Sequence, residues 1–184
     1  MIVKYQSPCL VLMFAFLLLC ISTNADAQRN DRIETVGDGL CFYIMPAATA
    51  GLILYNSDWK GVLEGAESAA LTGGLTTGLK VAVNEKRPNG GSLSFPSGHA
   101  SYSFAMAEFI RKRYGWEYGI PAYVAASFIG YSRVESNDHY THDVVAGAFI
   151  GILSSYIFTK PYEGWHVQAG TDGKCYGIML SRSF

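Results

Sequence analysis

The sequence contains a series of apolar stretches separated by polar turns with glycine, proline or asparagine. Each stretch is 13 to 17 residues long, and apolar stretches of this length between turn signals indicate helices. The sequence therefore predicts an all-α fold, a compact bundle of about five or six helices. Polar residues 28–39 are predicted to be a short lead-in. The apolar stretches are residues 40–55, 67–83, 100–113, 119–131 and 143–158.

The length of these stretches is compatible with both a soluble bundle and a membrane-embedded one. A full membrane span needs about 20 apolar residues, so the stretches can be core helices of a soluble bundle or short, tilted spans. Charged residues make up 16% of the chain, against an average of about 25%, which favours association with a membrane. The net charge of −1 does not suggest a nucleic-acid partner.

The N-terminus has the pattern of a secretory signal peptide. Lys4 is followed by an apolar stretch at residues 10–21 and then by small residues that are typical of a cleavage site. We therefore expect a signal peptide at residues 1–27 and a mature catalytic domain at residues 28–184, exported to the periplasm. The alternatives are an uncleaved anchor and a lipoprotein acylated at Cys20.

Two cysteines remain in the predicted mature chain, Cys41 near its start and Cys175 near its end. An exported protein folds in an oxidising compartment, where a disulfide between these residues is expected to form and to tie the C-terminal tail to the first helix. The alternative is a pair of buried thiols.

The C-terminal tail differs from the rest of the chain. Its short alternating stretches, at residues 165–180, flank Thr171, Asp172 and Gly173, which are typical turn residues. The pattern predicts a short β-hairpin or an irregular tail.

Three short motifs carry the chemistry of the chain. Together they supply three cations, two histidines and a carboxylate, with small polar residues and a helix start between them. These groups are what is needed to hold a phosphate and to attack it with an imidazole. The motifs are Lys80 with Arg87 and Pro88; Pro96, Ser97, Gly98 and His99; and Ser132 and Arg133 with His139 and Asp143.

The third motif contains a candidate nucleophile. His139 and Asp143 are four residues apart, so on a helix they would share a face and the carboxylate could reach one imidazole nitrogen. That contact would fix the tautomer and leave the other nitrogen free to attack phosphorus.

The remaining motif residues suit the binding of a phosphoryl group. Arg87 and Arg133 can each form a two-pronged contact with phosphate oxygens, and Lys80 can supply a point charge. Pro96, Ser97 and Gly98 precede the helix predicted from Ala100. A helix start offers free backbone N–H groups that attract an anion, and Gly98 lets the backbone come close to it. His99 would then lie beside the phosphate, where a histidine can protonate a leaving alcohol.

The order and spacing of the three motifs resemble those of the type 2 phosphatidic acid phosphatase and vanadium haloperoxidase superfamily. The resemblance implies a helical bundle whose active site is built from loops and helix starts at one end. It also implies that His139 attacks phosphorus, that Asp143 orients it, and that His99 protonates the leaving group and then activates water. No metal or other cofactor is implied, and vanadate is an expected inhibitor. The residues implied to bind the phosphoryl oxygens are Lys80, Arg87, Ser97, Gly98 and Arg133.

The expected function is hydrolysis of a phosphomonoester, or of the terminal phosphate of a diphosphate, outside the cytoplasm. The low charge content and the apolar bundle favour a phosphorylated lipid as substrate. One alternative is a soluble, broad-specificity periplasmic acid phosphatase that acts on small phosphoesters. Others are a vanadium-dependent haloperoxidase and a silent binding module for phosphorylated lipids, although binding alone would not need His99, His139 and Asp143.

Overall fold

The computed structural model describes residues 29–163, 165–171 and 176–182 of the chain. The predicted signal peptide at residues 1–27 lies outside the described residues and stays a prediction. By its contacts the helical part forms one unit, Ala25–Pro161, and the C-terminal strands belong to another.

Six helices are described in the helical unit, which confirms the predicted all-α bundle of about five or six helices. The first two are continuous through a π-helical turn at Leu40–Ile44, which lies directly before Pro46 in the second helix. Pro46 stands in the first turn of α2, where the helix changes from π-helical to α-helical, and its missing backbone N–H falls at this change. The helices are α1 (Arg29–Gly39), α2 (Met45–Tyr55), α3 (Trp59–Val83), α4 (Gly98–Tyr114), α5 (Trp116–Glu135) and α6 (Thr141–Phe158).

Residues 28–39 were predicted to be a polar lead-in, but Arg29–Gly39 form helix α1, so this prediction was wrong. The helix docks on the C-terminal part of α5, where the backbone carbonyl of Glu34 accepts a hydrogen bond of 2.7 Å from Arg133 Nη2. Gly37 makes the close approach possible, since a Cβ atom there would overlap the hydroxyl oxygen of Ser132. Because α1 is polar, its helical state depends on these tertiary contacts and leaves little trace in the apolar pattern.

Helices α4 and α6 pack closely through small residues spaced four apart on α6. A Cβ atom at Gly147 would lie 2.5 Å from a backbone oxygen of the turn before α4, and one at Gly151 would overlap the carbonyl oxygen of Ser101. Further along the same face, Ser155 Oγ donates a hydrogen bond of 2.7 Å to the carbonyl of Ala105. The start of α6 is thereby held against the start of α4.

Replacing Gly151 with alanine should destabilise the fold by about 2 kcal/mol, since overpacking a tight contact typically costs about 1–3 kcal/mol. The neighbouring atoms at this position belong to the backbone of α4 and cannot turn away as a side chain could. The matched control is Gly78→Ala in α3, where a Cβ atom would meet nothing within 4 Å and alanine should be neutral or stabilising. Thermal unfolding followed by tryptophan fluorescence measures both. Equal melting temperatures for the two variants would contradict the packing described for α6.

The apolar core lies mainly between α4 and α5, with the π-helical turn and the start of α2 against it. Most of its members are small, which suits closely packed helices. Phe109 and Ile129 are the largest fully buried apolar side chains. The core residues are Cys41, Met45, Ala107, Phe109, Ile110, Ala122, Ala125, Ala126 and Ile129.

Two loops meet beside the starts of α4 and α6. In the loop between α3 and α4, the backbone N–H of Asn89 donates a hydrogen bond of 3.1 Å to the carbonyl of Asn137, in the loop between α5 and α6. The side-chain amide of Asn89 donates to Asp138 Oδ1 at 3.0 Å. These contacts bring the predicted motifs to one part of the bundle.

The C-terminal unit contains two antiparallel strands, β1 (Trp165–Thr171) and β2 (Tyr176–Arg182). Trp165 pairs with Arg182 at one end of the ladder, and Thr171 pairs with Tyr176 at the other. This pairing corresponds to the hairpin alternative for the tail. The predicted turn residues Asp172 and Gly173 lie outside the described residues.

Candidate active site

The structure brings the predicted site residues to the loops and helix ends that meet beside α4 and α6. Each motif supplies residues from a different stretch of backbone, so that no single helix carries the site. Lys80 lies near the end of α3 and Arg87 in the following loop, Ser97, Gly98 and His99 lie at the start of α4, Arg133 lies near the end of α5, His139 lies in the next loop, and Asp143 lies in the first turn of α6.

His139 and Asp143 make the predicted contact, but not on the face of one helix. Helix α6 begins at Thr141, so His139 precedes it and Tyr140 is the N-cap residue. Asp143 Oδ2 accepts a hydrogen bond of 3.0 Å from the backbone N–H of Tyr140 and lies 3.4 Å from His139 Nδ1. The carboxylate thus reaches back over the helix start to the imidazole, and the assumption of a shared helical face was wrong.

A serine that the motif analysis did not single out completes this contact. Ser94 Oγ donates a hydrogen bond of 2.5 Å to Asp143 Oδ2 and lies 3.5 Å from His139 Nδ1. Ser94 and Asp143 are both fully buried. The carboxylate oxygen that faces the histidine is therefore fixed from three sides, by Ser94, by the backbone of Tyr140 and by His139 itself.

The surroundings of His139 keep its imidazole unprotonated at neutral pH. Burial and, after it, the nearby charges of Arg87 and Lys80 lower the pKa of His139 to about 4, although Asp143 opposes them. Since Nδ1 faces the carboxylate, Nε2 is the nitrogen left for chemistry. A neutral imidazole with a free nitrogen is the form that acts as a nucleophile.

The start of α4 forms the opposite part of the site. Ser97 is the N-cap residue, and its Oγ accepts a hydrogen bond of 3.4 Å from the backbone N–H of Ala100. The backbone N–H of Ser97 donates to the carbonyl of Asp143 at 3.0 Å, which ties the two helix starts together. Gly98 lies beside Lys80, since a Cβ atom there would be 3.9 Å from Lys80 Cε.

The three predicted cations are held by neighbouring protein groups. Lys80 Nζ donates hydrogen bonds to the carbonyls of Leu93, at 2.7 Å, and Ser94, at 3.3 Å. Arg87 Nε donates to the carbonyl of Ser92 at 3.2 Å. Arg133 is 1% exposed, so its positive charge lies in a largely desolvated position where it attracts anions strongly.

Asp38, in α1, is a second site residue that the sequence did not predict. Its Oδ1 lies 3.0 Å from His99 Nε2 and 2.9 Å from Arg133 Nη1. One carboxylate oxygen therefore faces two residues at once. Arg133 is predicted to bind the phosphoryl group, and His99 is predicted to protonate the leaving oxygen. We conclude that the carboxylate of Asp38 occupies a position that an anionic oxygen of the predicted phosphate would take.

Replacing Asp38 with asparagine should tighten the binding of inorganic phosphate about fivefold. The reason is that the substitution removes a competing negative charge. The Asp38 side chain is 41% exposed, so its pair with Arg133 is partly screened and is worth about 1 kcal/mol. Isothermal titration with phosphate measures the change. The matched control is Asp31→Asn, which removes the same charge from an exposed side chain on the same helix. Weaker binding by Asp38→Asn than by the control would mean that Asp38 supports the anion site rather than competing for it.

Cys41 is buried, and its thiol lies 3.9 Å from the carbonyl oxygen of His99, to which it can donate. Its predicted disulfide partner, Cys175, lies outside the described residues. The disulfide between Cys41 and Cys175 therefore stays a prediction.

The sequence of the chain matches a known protein family. The profile of the PAP2 superfamily matches residues 61–165. Lipid A 4′-phosphatase of Helicobacter pylori (strain J99) is 31% identical over 166 residues, which are 82% of this chain and 83% of that protein. Lipid A 1-phosphatase of Porphyromonas gingivalis is 38% identical over 129 residues, but these are 61% of this chain and only 29% of that protein.

A solved structure shares the fold. The crystal structure of LpxE from Aquifex aeolicus superposes with a TM-score of 0.63 and covers 85% of this chain and 98% of its own. The sequence identity is 20%, so this similarity is a similarity of fold.

Proposed function

The chain belongs to the PAP2 superfamily, and from this premise we propose that it is a metal-independent phosphatase that acts through a phosphohistidine. Its substrate is a phosphomonoester, or the terminal phosphate of a diphosphate, carried by a lipid. The family confirms the predicted resemblance, and the chain is a phosphoric monoester hydrolase. The mechanism, the site roles and the export of the protein are part of the proposal.

The contact of His139 with a buried, fixed carboxylate carries the mechanistic proposal. Nε2 of the neutral imidazole attacks phosphorus, and the bond from phosphorus to the leaving oxygen breaks. Positive charge then develops on the ring, and Asp143, 3.4 Å from Nδ1, stabilises it. Ser94 keeps the carboxylate in place during this step through its 2.5 Å hydrogen bond.

The cations and the start of α4 are proposed to hold the transferred group. Lys80, Arg87 and Arg133 neutralise charge on the phosphoryl oxygens, as phosphoryl transfer requires. The hydroxyl group of Ser97 and the backbone N–H of Gly98, at the positive end of α4, add further donors. These contacts orient the phosphorus atom toward Nε2 of His139.

His99 is proposed to transfer the proton in both half-reactions. It donates a proton to the leaving alcohol oxygen as the phosphohistidine forms. It then removes a proton from the water that attacks phosphorus, which breaks the bond to His139 and releases phosphate. Burial and the charge of Arg133 lower the pKa of His99, and Asp38 opposes them.

A lipid substrate is supported by the surface of the helices as well as by the relatives. The helical segments Asp31–Tyr55 and Thr141–Phe158 are long and apolar enough to cross a membrane, although helices of this kind alone are weak support. Large apolar side chains on both are exposed, among them Tyr55 at 85% and Phe149 at 65%. Apolar faces of this extent fit a membrane better than water. The two relatives described above are lipid A phosphatases by name, so we propose a phosphorylated membrane lipid facing the periplasm.

The test is phosphate release by the purified protein in excess chelator, with and without vanadate. The substrates are phosphorylated lipids in mixed micelles and small soluble phosphoesters at matched concentrations. The proposal expects release from lipids that resists chelator and is inhibited by vanadate. Comparable efficiency on small esters, with the protein in the soluble fraction, would favour the periplasmic acid phosphatase. Oxidation of bromide by peroxide and vanadate without phosphate release would favour the haloperoxidase.

A further inference from the structure

A second group of polar side chains lies on the outer side of the His139–Asp143 contact. His142 Nε2 lies 3.2 Å from Asp143 Oδ1 and 3.2 Å from Glu85 Oε1. Asp143 Oδ1 is buried and accepts no hydrogen bond from any described residue, while Oδ2 carries the contacts with Ser94 and His139. One oxygen of a fully buried carboxylate therefore faces this cluster without a donor of its own.

The separations of the three groups suit a bound zinc ion. Zinc binds nitrogen and oxygen ligands at about 2.0–2.2 Å in tetrahedral geometry, which places neighbouring ligand atoms about 3.3 Å apart. The two separations from His142 Nε2 are close to this value. The ligand atoms of Glu85, His142 and Asp143 all lie within 4.8 Å of one another, so small rotations of the outer side chains would complete the set.

The ring of His142 is held in place and remains accessible. It stacks on Tyr140, with ring centroids 5.3 Å apart and an angle of 8° between planes, and on Phe95 at 6.2 Å. Its side chain is 57% exposed and that of Glu85 is 31% exposed. An ion can therefore enter from solvent, and the imidazole loses little freedom when it binds.

We propose that Glu85, His142 and Asp143 form a site for a zinc-type divalent cation, and that a cation bound there inhibits the enzyme. A nitrogen ligand together with two carboxylates favours zinc and similar transition metals over magnesium or calcium. The alternative explanation of the same distances is a protonated His142 that forms ion pairs with both carboxylates.

Inhibition follows from the position of Asp143 between two partners. A cation on Oδ1 withdraws negative charge from the carboxylate whose Oδ2 orients His139 and stabilises the charge that develops on its ring. The inhibitory part of the proposal rests on the proposed function, whereas binding of the ion does not. The site is distinct from the phosphate-binding residues, so chelator should leave activity unchanged or raise it.

Binding is tested first, by calorimetric titration of the full-length, chelator-treated protein with zinc chloride and by the visible spectrum of its cobalt(II) complex. We expect one tetrahedral site in the wild type. His142→Gln should weaken binding at least about tenfold, since loss of even an outer partner of a metal ligand costs that much. Glu67→Gln, which removes a carboxylate from an exposed position on α3, is the control for Glu85→Gln and should bind as the wild type does.

Inhibition is tested by titrating zinc into the phosphatase assay of the same proteins. The proposal expects zinc to inhibit the wild type and Glu67→Gln at concentrations that leave His142→Gln and Glu85→Gln active. Equal zinc affinity in wild type and His142→Gln, or no binding, would overturn the site and leave the protonated pair. Binding without inhibition would overturn the regulatory part. A wild type that binds zinc but releases no phosphate from any substrate would refute the proposed function and with it the inhibition, while the ion site would stand.

Discussion

Replacing His139 with alanine should lower kcat for phosphate release by about 10⁴-fold or more and should abolish the phosphoenzyme. The substitution removes the nitrogen that is proposed to attack phosphorus, and the neighbouring Asp143 is buried behind it. The residual rate would come from binding and charge neutralisation by the cations. The measurement is turnover of a phosphorylated lipid, together with trapping of ³²P-labelled protein by a denaturing quench at alkaline pH, where phosphohistidine is stable.

The matched control is His142→Gln, which changes a histidine three positions along the chain. Its side chain is half exposed and is assigned no step in the reaction, so we expect less than about tenfold loss in the presence of chelator. Both variants should show the melting temperature of the wild type. A labelled phosphoenzyme in His139→Ala would contradict the assignment of the nucleophile.

Most of the candidate site could be predicted because its residues lie in motifs at helix starts and ends. The sequence placed Ser97, Gly98 and His99 at the start of a helix, and the structure has them at the start of α4. It also predicted that His139 and Asp143 would meet, and they do. The reasoning behind this prediction was wrong in part. His139 and Asp143 are four residues apart, but His139 precedes the N-cap residue of α6, so the two do not lie along one helix.

The residues that the sequence did not reveal act through contacts between distant parts of the chain. Ser94 and Asp143 are 49 residues apart, and nothing in the spacing of a lone serine indicates that it will meet a buried carboxylate. Asp38 was hidden for another reason. It belongs to α1, whose polar sequence gives no apolar period, and its helix is stabilised by docking on Arg133 and Ser132. Such a helix becomes visible only when the packing of the rest is known.

Replacing His99 with alanine should slow hydrolysis by an amount that depends on the leaving group. An alkyl or lipid alcohol needs a proton as it departs, so we expect a loss of about 10³-fold, within the usual contribution of general acid catalysis. Nitrophenolate departs without a proton, so the rate with a nitrophenyl phosphate should fall about tenfold or less. Single-turnover rates of phosphoenzyme formation with the two substrates measure this difference. His142→Gln, assayed in chelator, should keep the wild-type ratio of the two rates.

The pH profile provides a second test of the same role. His139 must be unprotonated to attack, so activity should fall as the pH drops through its pKa of about 4. His99 must be protonated to donate, and burial together with Arg133 lowers its pKa from the ordinary value of 6.5, so activity should fall again as the pH rises through a value below 6.5. The wild type should therefore be most active in mildly acidic solution. In His99→Ala the fall on the alkaline side should disappear while the fall on the acidic side remains.

Two results together would contradict the role of His99 in proton transfer. They are equal losses of rate with both leaving groups, and a pH profile of His99→Ala that still falls on both sides. His99 would then only hold Asp38 and Arg133 in place.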